Sequence, residues 1–383
     1  MDFELDEKLL AQQAEARAFA SEKVAPGAAD RARRKEFPEA LVREAGARGW
    51  MGCLVPEAEG GSGIGNLGQA VVLEEIAVAC AGTHVTISVH NSLACGALYA
   101  FGGDSLRSLY LKKLATGEWL GCYMLTEADS GSDAAAMKTT AVRDGDDWVL
   151  NGEKMWITSA DVSQFAVIFA RTNPDPAVKN TRAISAFAVP MDTPGIEVGK
   201  REEKLGLAAS TTCSVALHDV RVPADHLMGE QDEGFKIAME MLNGGRIGVA
   251  VQGVGLARAA LEAAIDWAAA TPCGGRPRTK DQRTAFALSE IATEIEAARL
   301  LAWRAAWLRD EKRNHIREAS EAKLLATRMA NNVCRKVVAL MGEAGYGDAH
   351  PVERLMRDVR VTELYEGTTE IQKLVISRQI LPR

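Results

Sequence analysis

The sequence lacks a long apolar run, a strongly basic segment and a signal-like start. None of its uninterrupted apolar stretches approaches the roughly 20 residues of a membrane-spanning helix. The formal net charge is -7, and the densest basic run is RARRKEF at residues 31–37. Nucleic acid and anionic membranes are therefore poor candidates as partners. The first ten residues, MDFELDEKLL, are acidic and do not resemble a signal peptide.

Cysteine and histidine are few and unpatterned. The seven cysteines are odd in number and form no CxxC pair, and the six histidines show no ligand spacing. We therefore expect reduced thiols that fill the core of a cytoplasmic protein, with no disulfide framework and no metal site.

What the sequence does contain predicts an α+β fold that is mainly helical. Residues 1–120 show helical periodicity, residues 121–230 hold short β-rich runs separated by turn residues, and residues 231–383 are again helical. These ranges predict an N-terminal helical domain, a middle β domain and a C-terminal helical bundle. Within the middle range, the Asn151-Gly152 pair between two apolar runs predicts a hairpin turn.

Four short segments have the residue types that a ligand site needs. They are CYMLTEADSGSD at 122–133, KMWITSA at 154–160, NGGRIGVA at 243–250 and ELYEGTTEIQ at 363–372. The first offers hydroxyls and backbone donors, the second an aromatic plane beside a hydroxyl, the third an arginine, and the fourth a carboxylate on a flexible turn. Each segment alone is more often an ordinary turn, a core tryptophan or a solvated charge.

In this order, the segments resemble the acyl-CoA dehydrogenase family. The resemblance covers nearly the whole chain, since GFKIAM, HPVERLMRD and YEGTTEIQ also fall in the family's order. It implies an N-terminal helical domain, a middle β-barrel-like domain and a C-terminal four-helix bundle. It further implies FAD between the last two domains, an acyl-CoA substrate and an electron-transfer flavoprotein as electron acceptor.

The resemblance identifies Glu366 as the general base that removes the α-proton of the thioester. A buried carboxylate is more basic than an exposed one, and the thioester carbonyl must be stabilised as charge develops on it. Some relatives place the base on the helix beside the GRIG arginine instead. That position is Gly245 here, which favours Glu366 and the short- and medium-chain branch. Arg246 matches the arginine that supports the base loop.

Further roles follow from the resemblance, position by position. The residues that match cofactor-binding positions are Tyr123, Leu125, Thr126, Ser132, Trp156, Thr158, Thr368 and Glu370. The residues that match substrate-binding positions are Ser132, Phe235, Met239, Asn243, Arg246, Tyr365 and Gly367. Asn243 stands where the family usually has an Asp, so we expect a different contact to adenine.

Four further positions depart from the family pattern in elements that a subunit lends to its neighbour's FAD. An arginine and a phenylalanine are replaced by Thr271 and Gly274, and a glutamine and a glycine by Ala339 and Glu343. A carboxylate at position 343 should repel nearby phosphate oxygens. These changes raise the hypothesis of a heteromer with a paralogous subunit, the alternative being drift within a homotetramer. Nearby arginines, Arg276 and Arg278, could also take the missing roles.

Two other functions stay open at this point. One is an oxidase on the same fold, in which O₂ takes the electrons, and the other is an FAD-poor partner subunit of a heteromeric dehydrogenase. The length and branching of the acyl chain are not readable. His84 occupies a position where relatives specific for dicarboxylic acyl groups have an arginine, and it either meets a polar acyl group or makes a structural hydrogen bond.

Overall fold

Helices, one β-sheet and a second set of helices follow each other along the chain. The computed structural model describes residues 4–382. Strands of the large sheet run from Gly121 to Met228, and the first helix after the sheet begins at Gly234. The predicted architecture, an N-terminal helical domain, a middle β domain and a C-terminal helical bundle, is confirmed.

The N-terminal part is built from short helices around two that are buried. Its helices are α1 Glu7–Phe19, α2 Ala28–Arg34, α3 Glu39–Ala47, α4 Gly65–Ala79, α5 Ala81–Val89, α6 Gly96–Phe101, α7 Asp104–Leu106 and α8 Lys112–Ala115. Three π-helical segments continue them, at Ala20–Val24, His90–Cys95 and Arg107–Leu111. Helices α4 and α5 are apolar on nearly all sides and buried, as expected of core helices.

The middle part is an eight-stranded sheet. Its strands are β1 Gly121–Met124, β2 Thr140–Asp144, β3 Asp147–Thr158, β4 Phe165–Arg171, β5 Ile184–Pro190, β6 Ile196–Arg201, β7 Thr212–Pro223 and β8 Leu227–Met228. Their order is β6-β7-β3-β2-β4-β5-β8, and β1 pairs in parallel with β4. Strands β1, β4 and β5 are buried along nearly their whole length, so the sheet is covered on both faces there.

The predicted hairpin turn at Asn151-Gly152 is wrong. Both residues lie inside β3, where the register against β7 shifts between Leu150 and Gly152. Gly152 has φ +150° and a Cβ built there would lie 2.5 Å from Thr139 Oγ1, so the glycine marks a bulge with close backbone approach. The hairpin turn falls earlier, between β2 and β3 at residues 144–147, where Gly145 has φ +63°.

The C-terminal part contains three long helices and several short elements. They are α9 Gly234–Ala270, β9 Pro272–Cys273, β10 Arg276–Pro277, α10 Gln282–Asp310, α11 Ile316–Met341, α12 Glu343–Tyr346, α13 Val352–Val359 and α14 Thr369–Ile380. Helices α9, α10, α11 and α14 pack together as the predicted bundle, and α9 also packs against α4 and α5. Arg258 of α9 reaches back to the buried carboxylates of Glu74 and Glu75 on α4.

Helix α9 is the only helix in the described residues that is long and apolar enough to cross a membrane. Of its most apolar 18-residue window, 78% is buried against the rest of the molecule. That burial is typical of the central helix of a bundle, whose sides are all in contact with neighbours. Its position also lets it contribute residues to a site between the sheet and the bundle.

Candidate active site

Glu366 lies on a tight loop between the 3-10 turn Arg360–Glu363 and α14. Glu366 and Gly367 both adopt left-handed backbone conformations, with φ of +52° and +93°. A left-handed conformation is uncommon for a residue with a side chain, and it often marks a functional site. Thr368 then caps α14 by accepting a hydrogen bond from the Ile371 N–H at 3.3 Å. The backbone therefore fixes where the Glu366 side chain points.

The Glu366 carboxylate points at Gly245 of α9. Its Oε2 atom is buried and has no hydrogen-bond partner. A Cβ built on Gly245 would lie 1.9 Å from that oxygen, so no residue with a side chain fits at position 245 while the base keeps its place. The base position of the other branch and the Glu366 carboxylate therefore occupy the same space. The arrangement in which Glu366 supplies the carboxylate therefore requires a glycine at position 245.

Burial raises the pKa of Glu366 to about 7, while the positive charges of Lys323 and Arg246 oppose this rise. A carboxylate with a pKa near neutrality is well matched to accept a proton at physiological pH. An unpartnered oxygen can also approach a ligand without first breaking a hydrogen bond. Geometry and electrostatics thus agree that this carboxylate is available for proton transfer.

Arg246 sits near the base without bonding to its loop. Its Nη1 donates to Asn243 Oδ1 at 2.7 Å and to Ser320 Oγ at 3.3 Å. In the described residues, no ion pair within 4.0 Å joins Arg246 to Glu366. Burial lowers the pKa of Arg246 to about 10, so it stays charged at neutral pH. The expected bracing of the loop by Arg246 is replaced by an influence through charge.

Lys323 of α11 is a site residue that sequence reasoning missed. It is 1% exposed, and its Nζ donates to the Gly367 carbonyl. The same carbonyl accepts a second hydrogen bond from Gln372 Nε2 at 2.8 Å. A signal for it was present, because Lys323 falls on the alanine-rich stripe of α11 that includes Ala319 and Ala326.

Two tyrosines lie close to the Glu366 carboxylate. The Tyr365 hydroxyl donates to Gln252 Oε1 of α9, and the Tyr123 hydroxyl lies 3.5 Å from the Ala238 carbonyl. Burial raises the pKa of both phenols well above the usual value, and the Glu366 charge adds to this. Both tyrosines are therefore neutral and contribute shape and hydrogen bonds rather than charge.

The predicted flavin-edge residues lie together at the end of β1 and on β3. The Met155 N–H donates to the Thr126 carbonyl at 2.9 Å, which joins the two segments. The Trp156 side chain is 52% exposed and its φ is +60°, at a register shift of β3. Thr158 is half-buried and Leu125 is buried. An exposed indole beside hydroxyls is an open aromatic surface that fits a planar flavin ring.

A buried ion pair holds this edge in place. Lys154 Nζ lies 2.8 Å from Glu127 Oε1 and also donates to the Leu125 carbonyl at 3.3 Å. Glu127 in addition accepts backbone N–H groups from Lys138 and Thr139, at 2.6 and 3.0 Å. These four contacts fix the turn between Thr126 and the exposed Ser132.

The remaining predicted residues fall into three places. Phe235 and Met239 are partly buried near the start of α9, as a channel-lining role requires. Asn243 is 6% exposed and its side-chain oxygen is taken by Arg246, so it faces inward. Thr368 and the exposed Glu370 sit at the N-terminus of α14, which favours anionic groups.

His84 is buried on α5, and its ring makes a structural hydrogen bond. Its Nδ1 is 2.9 Å from the Leu73 carbonyl, and burial lowers its pKa to about 4, so the ring is neutral. Its Nε2 is buried and has no hydrogen-bond partner in the described residues, so a contact with a polar acyl group stays a prediction. Thr271 ends α9, and Gly274 lies at the exposed tip between β9 and β10.

The other two positions that depart from the family pattern are also at the surface. Ala339 and Glu343 are exposed around the end of α11. Of the two arginines considered as replacements, Arg278 stacks on the Trp267 ring at 5.0 Å from its centroid, whereas Arg276 is exposed.

Comparison with known proteins agrees with this geometry. Models of the acyl-CoA dehydrogenase N-terminal, middle and C-terminal domains match residues 6–118, 122–220 and 232–381. The human mitochondrial short-chain specific acyl-CoA dehydrogenase is 44% identical over 95% of this chain and 88% of that protein.

Solved structures are similar over the full length. Butyryl-CoA dehydrogenase from Megasphaera elsdenii is 35% identical with a TM-score of 0.97, and the match covers 100% of both chains. A chain from a structural study of the electron transferring flavoprotein of Acidaminococcus fermentans is 37% identical, also with a TM-score of 0.97 and full coverage of both chains. The chain belongs to the acyl-CoA dehydrogenase family and is an FAD-dependent oxidoreductase.

Proposed function

We propose that the chain desaturates a short acyl-CoA thioester to the trans-2-enoyl-CoA, with Glu366 as the base. The observation that carries this proposal is the Glu366 carboxylate, which points at Gly245 with one buried, unpartnered oxygen and a pKa of about 7. Such a group accepts the α-proton of a thioester that lies against it. The electron pair of the broken Cα–H bond then forms the double bond as the β-hydrogen departs as hydride.

The backbone around Glu366 supports the same step. Its own N–H donates to no group in the described part of the chain, so it remains for the thioester carbonyl. A donor there would stabilise the negative charge that develops on that oxygen. Gly367 adds no side chain that could hinder the approach of the thioester.

FAD, when bound, accepts the hydride that leaves the β-carbon. The residues that would hold its ring are Trp156, Thr158, Tyr123, Leu125, Thr126 and Ser132. The open indole of Trp156 supports this placement. We expect its phosphates or ribose nearer to Thr368 and Glu370, at the N-terminus of α14. Phe235 and Met239 would then line the path of the CoA moiety.

The substitution Glu366→Gln tests the base. The amide keeps the size of the side chain but cannot take a proton, so we expect turnover to fall by at least about 100-fold while bound FAD is unchanged. Glu294→Gln is the matched control, because this glutamate pairs with Lys336 at the surface. Unchanged turnover in Glu366→Gln would contradict the proposal.

Short acyl groups are supported by the relatives. The human relative is short-chain specific and the Megasphaera structure is a butyryl-CoA dehydrogenase. Flavin bleaching by straight, branched and aromatic acyl-CoA thioesters of increasing length measures the limit.

We propose an electron-transfer flavoprotein as the electron acceptor, a partner that the study behind the Acidaminococcus structure supports. The alternative is an oxidase that passes electrons to O₂. Reoxidation rates with a flavoprotein or ferrocenium acceptor and with O₂ separate the two, and a faster reaction with O₂ would favour the oxidase. The cytoplasmic location stays a prediction.

The oligomeric state is proposed as either a homotetramer or a heteromer with a paralogous subunit. Thr271, Gly274, Ala339 and Glu343 all lie at or near the surface, where a neighbouring subunit could meet them. None of them has an aromatic ring, a guanidinium group or a side-chain amide, the groups that the usual phenylalanine, arginine and glutamine supply. To decide between the homotetramer and the heteromer, the chain is expressed alone, and its mass in solution and its FAD content per chain are measured. Full FAD in a homotetramer excludes the heteromer, and an FAD-poor chain that fills with FAD beside a partner supports it.

A further inference from the structure

A buried lysine stands beside the base, and the mechanism above does not use it. Lys323 is 1% exposed on the inner stripe of α11, where its neighbours along the helix are mostly alanines. Burying an ammonium group is costly unless it is paired and hydrogen-bonded. Within the described residues, its ammonium group donates one hydrogen bond, to the carbonyl of Gly367, the residue that directly follows Glu366.

That hydrogen bond acts on the strained part of the base loop. Glu366 and Gly367 have φ of +52° and +93°, so the loop needs tertiary contacts to keep this shape. The Gly367 carbonyl receives two donors, Lys323 Nζ from α11 and Gln372 Nε2 from α14. Together they attach the loop to two helices of the bundle.

The charge of Lys323 acts on the Glu366 carboxylate. The charged groups that face this region are Arg246 on α9, Glu363 on the 3-10 turn, Glu366 itself and Lys323. Tyr123 on β1 and Tyr365 on the loop also face it, and both are neutral. Lys323 and Arg246 favour the ionised carboxylate, against the effect of burial. Burial lowers the pKa of Lys323 to about 8, so it is mostly charged at neutral pH.

We propose that Lys323 is a positioning residue for the reaction: it holds the base loop through the Gly367 carbonyl and places a positive charge beside the Glu366 carboxylate. Lys323 bonds to the loop that carries Glu366, whereas the buried Arg246 bonds to Asn243 and Ser320. Lys323 does not touch the substrate in this assignment and works through Glu366. The inference rests on the proposed role of Glu366 as the base.

The substitution Lys323→Met tests the proposal in the FAD-loaded enzyme. It keeps an apolar stem of similar length and removes the charge and the donor. We expect the acidic limb of the kcat/KM profile to move upward by about 1 pH unit or more, because a carboxylate without its cation holds its proton more tightly. At pH values below the apparent pKa of the limb, the variant should therefore have a kcat/KM about 10-fold lower than the wild type. The difference should disappear as pH rises above that pKa. Lys323→Arg keeps the charge and the donor, so its limb should stay in place.

A second measurement isolates proton transfer from electron transfer. A 3-thia-acyl-CoA has sulfur in place of the β-carbon, so it exchanges its α-protons in D₂O without reducing the flavin. We expect Lys323→Met to slow this exchange at neutral pH by about the same factor as kcat/KM. Lys336→Met is the matched control, because it removes an exposed lysine from the same helix.

The outcomes separate the two levels of the proposal. If Glu366→Gln keeps its turnover, the proposed base is wrong. If Glu366→Gln is inactive but Lys323→Met shows an unshifted profile and normal exchange, only the role of Lys323 is overturned. If Lys323→Met does not fold, Lys323→Gln replaces it. Failure of both to fold while Lys336→Met folds would assign Lys323 to the stability of α11 and overturn the positioning role.

Discussion

Two glutamates in this molecule, each beside a buried lysine, have pKa values that are shifted in opposite directions. Glu127 accepts three hydrogen bonds, one from Lys154 and two from backbone N–H groups, and together with the charge of Lys154 they lower its pKa despite burial. Glu366 has an unpartnered oxygen, and burial raises its pKa to about 7. In both places burial lowers the pKa of the lysine to about 8.

The difference lies in where each lysine directs its hydrogen bond. Lys154 donates to the carboxylate itself, whereas Lys323 donates to a backbone carbonyl next to its glutamate. A carboxylate that is fully bonded is stable and unreactive, and one that is desolvated but unbonded is basic. The same pair of residue types therefore gives a structural clamp beside Thr126 and, at Glu366, a desolvated carboxylate that is more basic than usual.

The largest effect is expected when the clamp is broken. Glu127→Gln leaves the Lys154 ammonium buried without a counter-charge, so we expect the free energy of unfolding to fall by about 3 kcal/mol. Chemical denaturation of the FAD-loaded enzyme measures this. Asp129→Asn is the control, because Asp129 pairs with Lys138 at the surface and should change little. A loss below about 1 kcal/mol in Glu127→Gln would mean that the clamp is not structural.

A smaller effect is expected when the unbonded carboxylate is displaced. In Gly245→Ala the new methyl would lie 1.9 Å from Glu366 Oε2, so the base must move. A displacement of this size costs on the order of 100-fold in turnover, with the fold retained. Steady-state kinetics and a thermal melt measure the two quantities. Gly103→Ala, where an added Cβ meets nothing within 4 Å, is the neutral control. Normal turnover in Gly245→Ala would place the base elsewhere.

The smallest effect is on stability against pH. Because burial raises the pKa of Glu366 from 4.5 to about 7, the unfolded chain releases this proton first as pH rises. The free energy of unfolding of the wild type should therefore fall by roughly 2 kcal/mol between pH 4.5 and 7, relative to Glu366→Gln. For Glu127, whose pKa is lowered, stability should instead be lost as pH falls below its usual range. Parallel pH curves for wild type and Glu366→Gln would contradict the raised pKa.

The order of helices, sheet and helices could be predicted from the sequence because it depends on local periodicity. The resemblance implied Glu366 as the base and Gly245 as the position of the alternative base, and the structure brings the two positions together. The turn at Asn151-Gly152 was predicted wrongly because a local signal was overridden. The glycine is needed there for close packing against Thr139, inside a strand.

The lysines could not be paired with their glutamates from sequence alone. Lys323 and Gly367 are 44 residues apart, and Glu127 and Lys154 are 27 apart, so only the tertiary fold shows that they meet. Asn243 and Arg246 are different, since their spacing of three on one helix already allows a side-chain contact. That spacing would have indicated that Asn243 is occupied by its neighbour.

Helix α9 joins distant parts of this molecule in one rigid element. Its 37 residues extend over roughly 55 Å, from Phe235 past Gly245 to the hairpin that follows Thr271. Each residue of a helix turns the chain by about 100°, so inserting or deleting one residue between Gly245 and Thr271 would swing the hairpin to another side of the bundle. The number of residues between Gly245 and Thr271 therefore has to stay constant. Relatives that place the hairpin on the same side of the bundle should differ from this chain by substitutions in the helix and not by its length.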